Sequence, residues 1–277
     1  MGRIEKVLKK ARSSKTDKTA SLREKETPVP ITGGIDTATD SIDFAKLANM
    51  IPDNDCLETY HVVAALPDAP QKGAYKVLRT RVLQRLKASQ WNVIGVSGAG
   101  PGEGKSLTAI NLAFSLAQDV NHQVILVDLD LRRPSIHTYL GINPKYDLTS
   151  FLNKPTEIKN ILVRPDEKRL AVLTNRTTHS DSSEILSSPD IANLIHQLKN
   201  LGPRTITIID LPPVLASDDV IAFSPLIDAL LLVVGEATCR REDLIETQEL
   251  LKGSEILGVV LNRSREKTAA SGYYGYY

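Results

Sequence analysis

The sequence predicts a three-layer α/β sandwich built on a mainly parallel sheet. Three observations predict it: short strands that are apolar along their whole length, helical patterns between them, and a glycine-rich turn joining the first such strand to a helix. Lys72–Ala88 places Tyr75, Leu78, Val82, Leu83 and Leu86 at near-helical spacing. Asn92–Ser97 is a β-type run, and Lys105–Gln118 is helical. Val124–Val127, Leu170–Leu173, Thr205–Ile209, Leu230–Val234 and Ile256–Leu261 read as buried strands, with further helices over about Asp190–Asn200 and Arg241–Lys252. Right-handed crossovers between parallel strands put helices on both faces of the sheet.

Composition sets the outer bounds. The 277 residues are 42% hydrophobic and 24% charged, ordinary values for a water-soluble globular chain. The longest apolar run, Ala229 to Val234, is far short of the roughly 20 residues of a membrane span. No secretory signal pattern is visible, so a cytoplasmic location is expected. Cys56 and Cys239 form no disulfide framework and no metal-ligand spacing. A net charge of +1 excludes a globally basic nucleic-acid binder.

That total conceals an asymmetry. Residues 1–30 carry a net +5 and residues 31–70 a net −6. Ile4, Val7, Leu8 and Ala11 lie at helical spacing among basic side chains, the pattern of a terminal amphipathic helix. Ser13 to about Ala69 is rich in Ser, Thr, Asp, Gly and Pro, and reads as a flexible tether. The expected division is residues 1–70 as helix and linker, 71–264 as the folded domain, and 265–277 as a tail. Four of the eight tyrosines, Tyr273, Tyr274, Tyr276 and Tyr277, fall in the last five residues, after a stretch without apolar periodicity. Such a cluster suits binding or modification better than a core.

The glycine-rich turn reads Gly98-Ala99-Gly100-Pro101-Gly102-Glu103-Gly104-Lys105-Ser106-Leu107. From Ala99 it fits the P-loop pattern, with Ala at the first glycine position. Glycines let backbone N–H groups converge on phosphate oxygens, and the following helix adds the positive end of its dipole. Residues 100–107 are therefore the expected nucleotide-binding loop. Lys105 is placed to reach the β/γ oxygens of ATP, and the Ser106 hydroxyl to ligate Mg²⁺. A dinucleotide-binding G-x-G-x-x-G fails in either register, because Glu103 or Lys105 occupies its last position.

A P-loop needs acids at neighbouring strand ends. Val124–Val127 runs into Asp128 and Asp130, then Arg132-Arg133-Pro134; Ile206–Ile209 runs into Asp210, then Leu211-Pro212-Pro213. Asp128 and Asp210 are expected near Mg²⁺ and Asp130 in the active site. Lys105, Asp128, Asp130 and Asp210 make up the catalytic set.

Pro101-Gly102-Glu103-Gly104-Lys105-Ser106, Asp128-x-Asp130-x-Arg132-Arg133-Pro134 and Asp210-x-Pro212-Pro213 together resemble the bacterial tyrosine kinases. The resemblance runs from about Lys72 to Tyr277, and its opening and closing residues look most like the subgroup that accompanies exosortase loci. It implies ATP-dependent, Mg²⁺-requiring autophosphorylation of Tyr273, Tyr274, Tyr276 and Tyr277, with Asp128, Asp130 and Arg132 in the Walker A′ motif and Asp210 in Walker B. It leaves open which of Asp128 and Asp130 takes the hydroxyl proton. It further implies a homo-oligomer, a membrane polysaccharide co-polymerase as activator and recruiter to the plasma membrane's inner face, a cognate tyrosine phosphatase, and a role in exopolysaccharide export. Asn262 matches a position that contacts adenine in related ATPases, against an ordinary turn asparagine. The family's ring-forming Glu-x-x-Arg-x-x-Arg segment is altered here, with Gly73 and Lys76 in its first two positions and Arg79 in the third. Two other readings share the P-loop: a partition-type regulatory ATPase, whose extra P-loop lysine is replaced by Gly100, and a nucleotide-gated assembly factor, which would not need Asp130.

Overall fold

Residues 42–153 and 157–264 are described by a computed structural model. In chain order the regular elements are β1 (Ala48–Asn49), α1 (Asn54–Thr59), α2 (Lys72–Ser89), β2 (Val93–Gly98), α3 (Lys105–Ala117), β3 (Gln123–Asp128), α4 (Ile136–Leu140), α5 (Leu148–Asn153), β4 (Val163–Arg164) and β5 (Leu170–Leu173). Then follow α6 (Ser182–Leu186), α7 (Pro189–Lys199), β6 (Thr205–Asp210), α8 (Asp219–Phe223), β7 (Ala229–Gly235), α9 (Arg241–Leu250) and β8 (Ile256–Asn262). The basic N-terminal pattern and the terminal tyrosine cluster lie outside the described residues.

The strands form one sheet in the order β1-β4-β5-β3-β6-β2-β7-β8. Neighbours run parallel except β4, which is antiparallel to β5. Alternation along each strand sends side chains to opposite faces. Ile94 and Val96 of β2, Val124 and Leu126 of β3, and Ile206 and Ile208 of β6 meet Ile110, Leu112 and Leu116 of α3. On the other face, Val93, Ile125, Val127 and Ile209 meet Ile191, Leu194, Ile195 and Leu198 of α7. Both faces are apolar, so the strands carry continuous hydrophobic runs, and the sandwich has three layers as expected.

Local chemistry sets the helix ends. Ser188 accepts the Ile191 N–H at 3.4 Å and Pro189 opens α7. Gln90, at φ +56°, closes α2 by donating its N–H to the Leu86 carbonyl.

The expected boundary at residue 70 needs correction, because residues 42–70 are not all linker. Phe44 and Leu47 are buried against the α7 face, while Leu57, Val62 and Ala64 are buried against the α3 face. Asn111, inside α3, fixes this segment. Its Oδ1 accepts the Ala64 N–H at 2.8 Å, and its Nδ2 donates to the His61 carbonyl at 3.2 Å. Short apolar clusters between turn residues have no period of their own and acquire a role only from distant partners. Phe44 is 2% exposed, so Phe44→Ala should lower unfolding free energy by about 3–5 kcal/mol in a denaturant titration. A true linker position would move it by less than about 0.5 kcal/mol.

Candidate active site

The strand order brings the chemistry together. β3, β6 and β2 are neighbours, and Asp128 sits opposite Asp210, which sits opposite Val96. The loop after β2 therefore emerges beside both carboxylates. The Pro212-Pro213 turn is tied to the base of that loop. Ser97 Oγ donates to the Pro212 carbonyl at 2.6 Å, and the Val214 and Leu215 N–H groups donate to the Gly98 and Ala99 carbonyls at 2.9 and 3.1 Å.

The loop is shaped for an anion. Gly104 caps α3 at φ +89°, and a Cβ there would collide with the Asn262 side chain, so only glycine fits. A Cβ at Gly100 or Gly102 would meet nothing within 4 Å, which leaves an open cradle on that side. The first backbone bond of α3 runs from the Thr108 N–H to the Gly104 carbonyl at 2.9 Å. The amides of Lys105, Ser106 and Leu107 are thus unused by the helix, and no side chain caps them. They make the ready phosphate site that a helix N-terminus offers.

Lys105 is 6% exposed, and its Nζ donates to the Gly100 carbonyl at 3.1 Å, closing the loop on itself. Burial lowers its pKa, opposed by the charges of Asp210, Asp130 and Glu103. Asp128 is 0% exposed; Oδ2 accepts the Ser135 and Ile136 N–H groups, both at 3.0 Å, and Oδ1 has no partner. Burial and the neighbouring Asp210 push its pKa well up. Burial also pushes Asp210 up to about 7, with the nearby Ser106 hydroxyl pulling it down and Asp130 pushing it further up. Neither Asp210 oxygen has a well-formed hydrogen bond. Asp130, 7% exposed, accepts the Arg133 N–H at 3.0 Å, and burial raises its pKa.

Burial raises the pKa of all three carboxyl groups, and a bound metal would favour their ionised forms. The orphaned oxygens of Asp128 and Asp210, with the Ser106 hydroxyl, fit Mg²⁺, which binds through one or two protein groups plus phosphate and keeps its waters. Among the described residues no cluster of three or more His, Cys, Asp or Glu makes an all-protein metal cage.

Residues 100–107 and Asp128, Asp130 and Asp210 thus lie at one end of the sheet, and some side chains there point away from the open loop. The Glu103 carboxylate turns inward, buried beside Gly98. It also faces Cys239, whose thiol burial and that carboxylate push up to about 12. Only the backbone of Glu103 is left to the loop's open side. The Leu107 side chain packs on the core, leaving its amide for phosphate. Asn262 Nδ2 donates to the Glu103 carbonyl at 2.9 Å, so the end of β8 clamps the loop. Sequence patterns gave no sign of the Ser135 and Ile136 amides that hold Asp128, nor of Asp219, whose buried carboxylate accepts from Arg132 Nε at 3.2 Å.

A family model described as ParA, NUBPL iron-transfer P-loop NTPase, matches residues 90–272. The tyrosine-protein kinase YwqD of Bacillus subtilis (strain 168) is 31% identical over 212 residues, 76% of this chain and 88% of that protein. The chain belongs to the bacterial tyrosine kinases. The kinase is also 32% identical over 206 residues, 71% of its length, to the succinoglycan biosynthesis transport protein ExoP of Rhizobium meliloti (strain 1021), of which it spans 26%. The crystal structure of the VpsO kinase domain superposes with a TM-score of 0.62 at 30% identity, covering 70% of the kinase and 96% of that domain. These relatives favour a kinase over a partition-type ATPase or a non-enzymatic assembly factor. No helix among the described residues is long and apolar enough to cross a membrane.

Proposed function

We propose that the kinase transfers the γ-phosphoryl group of ATP to its own terminal tyrosines, Tyr273, Tyr274, Tyr276 and Tyr277. The observation that carries this reading is the convergence of a buried Lys105, unused α3 amides and the buried carboxyl groups of Asp128, Asp130 and Asp210 at one end of the sheet. The P-loop amides and Lys105 hold the triphosphate, while Ser106, Asp210 and Asp128 hold Mg²⁺. When bound, Mg²⁺ neutralises charge on the β- and γ-phosphates. The tyrosine oxygen forms its bond to the γ-phosphorus as the bond to the β,γ-bridging oxygen breaks. Its proton passes to a carboxylate, and Asp130 is the first an incoming hydroxyl meets, because it keeps an exposed edge that Asp128 lacks.

Each phosphate adds about −1.5 to −2 charge to the tail, enough to switch a contact between protomers. The match to part of a succinoglycan transport protein supports a role in exopolysaccharide export. In this reading a membrane co-polymerase recruits and activates a homo-oligomer of the kinase at the inner face of the membrane, and a cognate tyrosine phosphatase resets it. The test is mass spectrometry of the purified protein after incubation with Mg-ATP. Phosphate is expected on the last five residues, and a tail that stays unmodified with and without a co-polymerase would refute the reading.

A further inference from the structure

We propose that the phosphorylated tail, residues 265–277, folds back along β8 of its own chain, where Arg81 and Arg85 take its phosphotyrosines. The inference rests on the kinase reading above and adds where the product of that reaction goes. β8 ends the sheet and pairs only with β7, so its outer backbone edge is open among the described residues. Val259 and Leu261 on that strand are left exposed. Such an edge is a ready template for one more strand.

The groove beside this edge combines apolar surface with unpaired positive charge. About 360 Å³ lies between α2 and β8, floored by Leu78, Val82, Leu257 and Val260 and flanked by Arg81 and Arg85. The two arginines are one helical turn apart, so their side chains share a face of α2. Arg85 Nη1 donates to the Leu257 carbonyl, which fixes the guanidinium at the first residues of β8 and leaves the rest of its fork without a described partner. Neither arginine is paired with an acid among the described residues. A floor for a tyrosine ring, with two guanidinium forks at its side, has the parts by which arginine clusters recognise phosphorylated side chains.

Chain geometry and charge name the occupant. The chain leaves β8 at Asn262 and bends at Arg263, whose φ of +57° is the left-handed geometry of reversing turns. A reversal of about two to five residues, the usual hairpin length, sets Tyr273 between the levels of Ser254 and Leu257, beside Arg85. Each phosphate then supplies about −1.5 to −2 of the charge that the groove lacks. β8 runs parallel to β7 and β7 to β2, so the first residues of β8 lie at the opposite end of the sheet from the P-loop. Capture there clears the product from the active site and shelters it from a phosphatase.

The test is amide hydrogen exchange on the full chain, with phosphotyrosine installed at Tyr273 and Tyr274 during synthesis so that labelling does not depend on the enzyme. The β8 amides should exchange about tenfold more slowly than in the unmodified chain, the effect of roughly one net charge-assisted hydrogen bond. The slowing should be unchanged on dilution, because the tail is captured by its own chain. It should vanish in Arg81→Gln/Arg85→Gln, from which a tyrosine phosphatase should also remove phosphate about tenfold faster. Thermal unfolding of the unmodified variant checks its fold, and the comparison within wild type stands without it. β8 exchange that ignores the phosphates, slowing that survives loss of both arginines, or slowing that fades on dilution would each overturn the proposal, the last by assigning the edge to a second copy. A wild-type chain that leaves its own tail unmodified with Mg-ATP would instead refute the kinase reading, and the exchange measurement on installed phosphotyrosine would still decide the capture.

Discussion

Lys105→Met is expected to lower autophosphorylation by about 10²–10³-fold or more while leaving the fold intact. The ammonium is the only side-chain cation within the P-loop itself and is surrounded by Asp210, Asp130 and Glu103. Removing it takes away both the contact to the β/γ oxygens and the nearest neutralising charge. Methionine fills the same buried space, and burial already favours the neutral forms of Asp128 and Asp210, so the fold should tolerate the loss of the cation. Labelling of the purified variant with γ-labelled ATP, alongside its thermal unfolding, checks both halves. Wild-type labelling by a folded Lys105→Met protein would remove the P-loop from the chemistry.

In a mixture of two complementary variant chains, phosphate should appear on the partner that cannot catalyse. One chain is Lys105→Met with an intact tail; the other is active but carries Phe at Tyr273, Tyr274, Tyr276 and Tyr277. From Arg263 to Tyr277 there are 14 residue steps, which at 3.3–3.6 Å each span at most about 50 Å. Reach alone thus permits transfer within one chain. Closing a tail containing Ser and Gly back onto its own site costs entropy, whereas a neighbour's site can capture it extended. The segment that resembles the family's ring-forming helix is altered in this chain. Gly73 and Lys76 stand where the family has Glu and Arg, and Arg79 donates inward to the Ser115 carbonyl at 2.9 Å. Lys offers a point charge where Arg offers a fork, so encounters between protomers should be weaker and labelling should rise steeply with protein concentration. An unlabelled Lys105→Met chain would defeat transfer between protomers. Persistent label on the all-Phe chain would show that the tail is not the main acceptor.

The pieces of the site that could be read from the chain are those encoded by neighbours in sequence. Apolar runs gave the main strands to within a residue or two, because burial on both faces fills nearly every position with an apolar or small side chain. The glycine spacing from Gly98 to Gly104, Lys105-Ser106, and an acid at each strand end gave the loop, Asp128 and Asp210 for the same reason. Strand order, the packing of residues 42–70 and the anchoring of side chains depended on the tertiary structure. Asp128 is recognisable at the end of its strand, but the Ser135 and Ile136 amides that lock it become its partners only when α4 turns back. Asp219 stands in an unremarkable Ser-Asp-Asp stretch and finds its partners in Arg132, 87 residues earlier, and in two serines 36 and 37 residues earlier. Phe44 and Asn111 show the same limit. The sequence by itself determined which segments are strands and which turn takes the P-loop form, since periodicity and backbone freedom act over a few residues. Which buried charges face one another was decided only by the sheet, because a carboxylate's partner, proton and exposure are set by whatever the fold brings within a few ångströms of it.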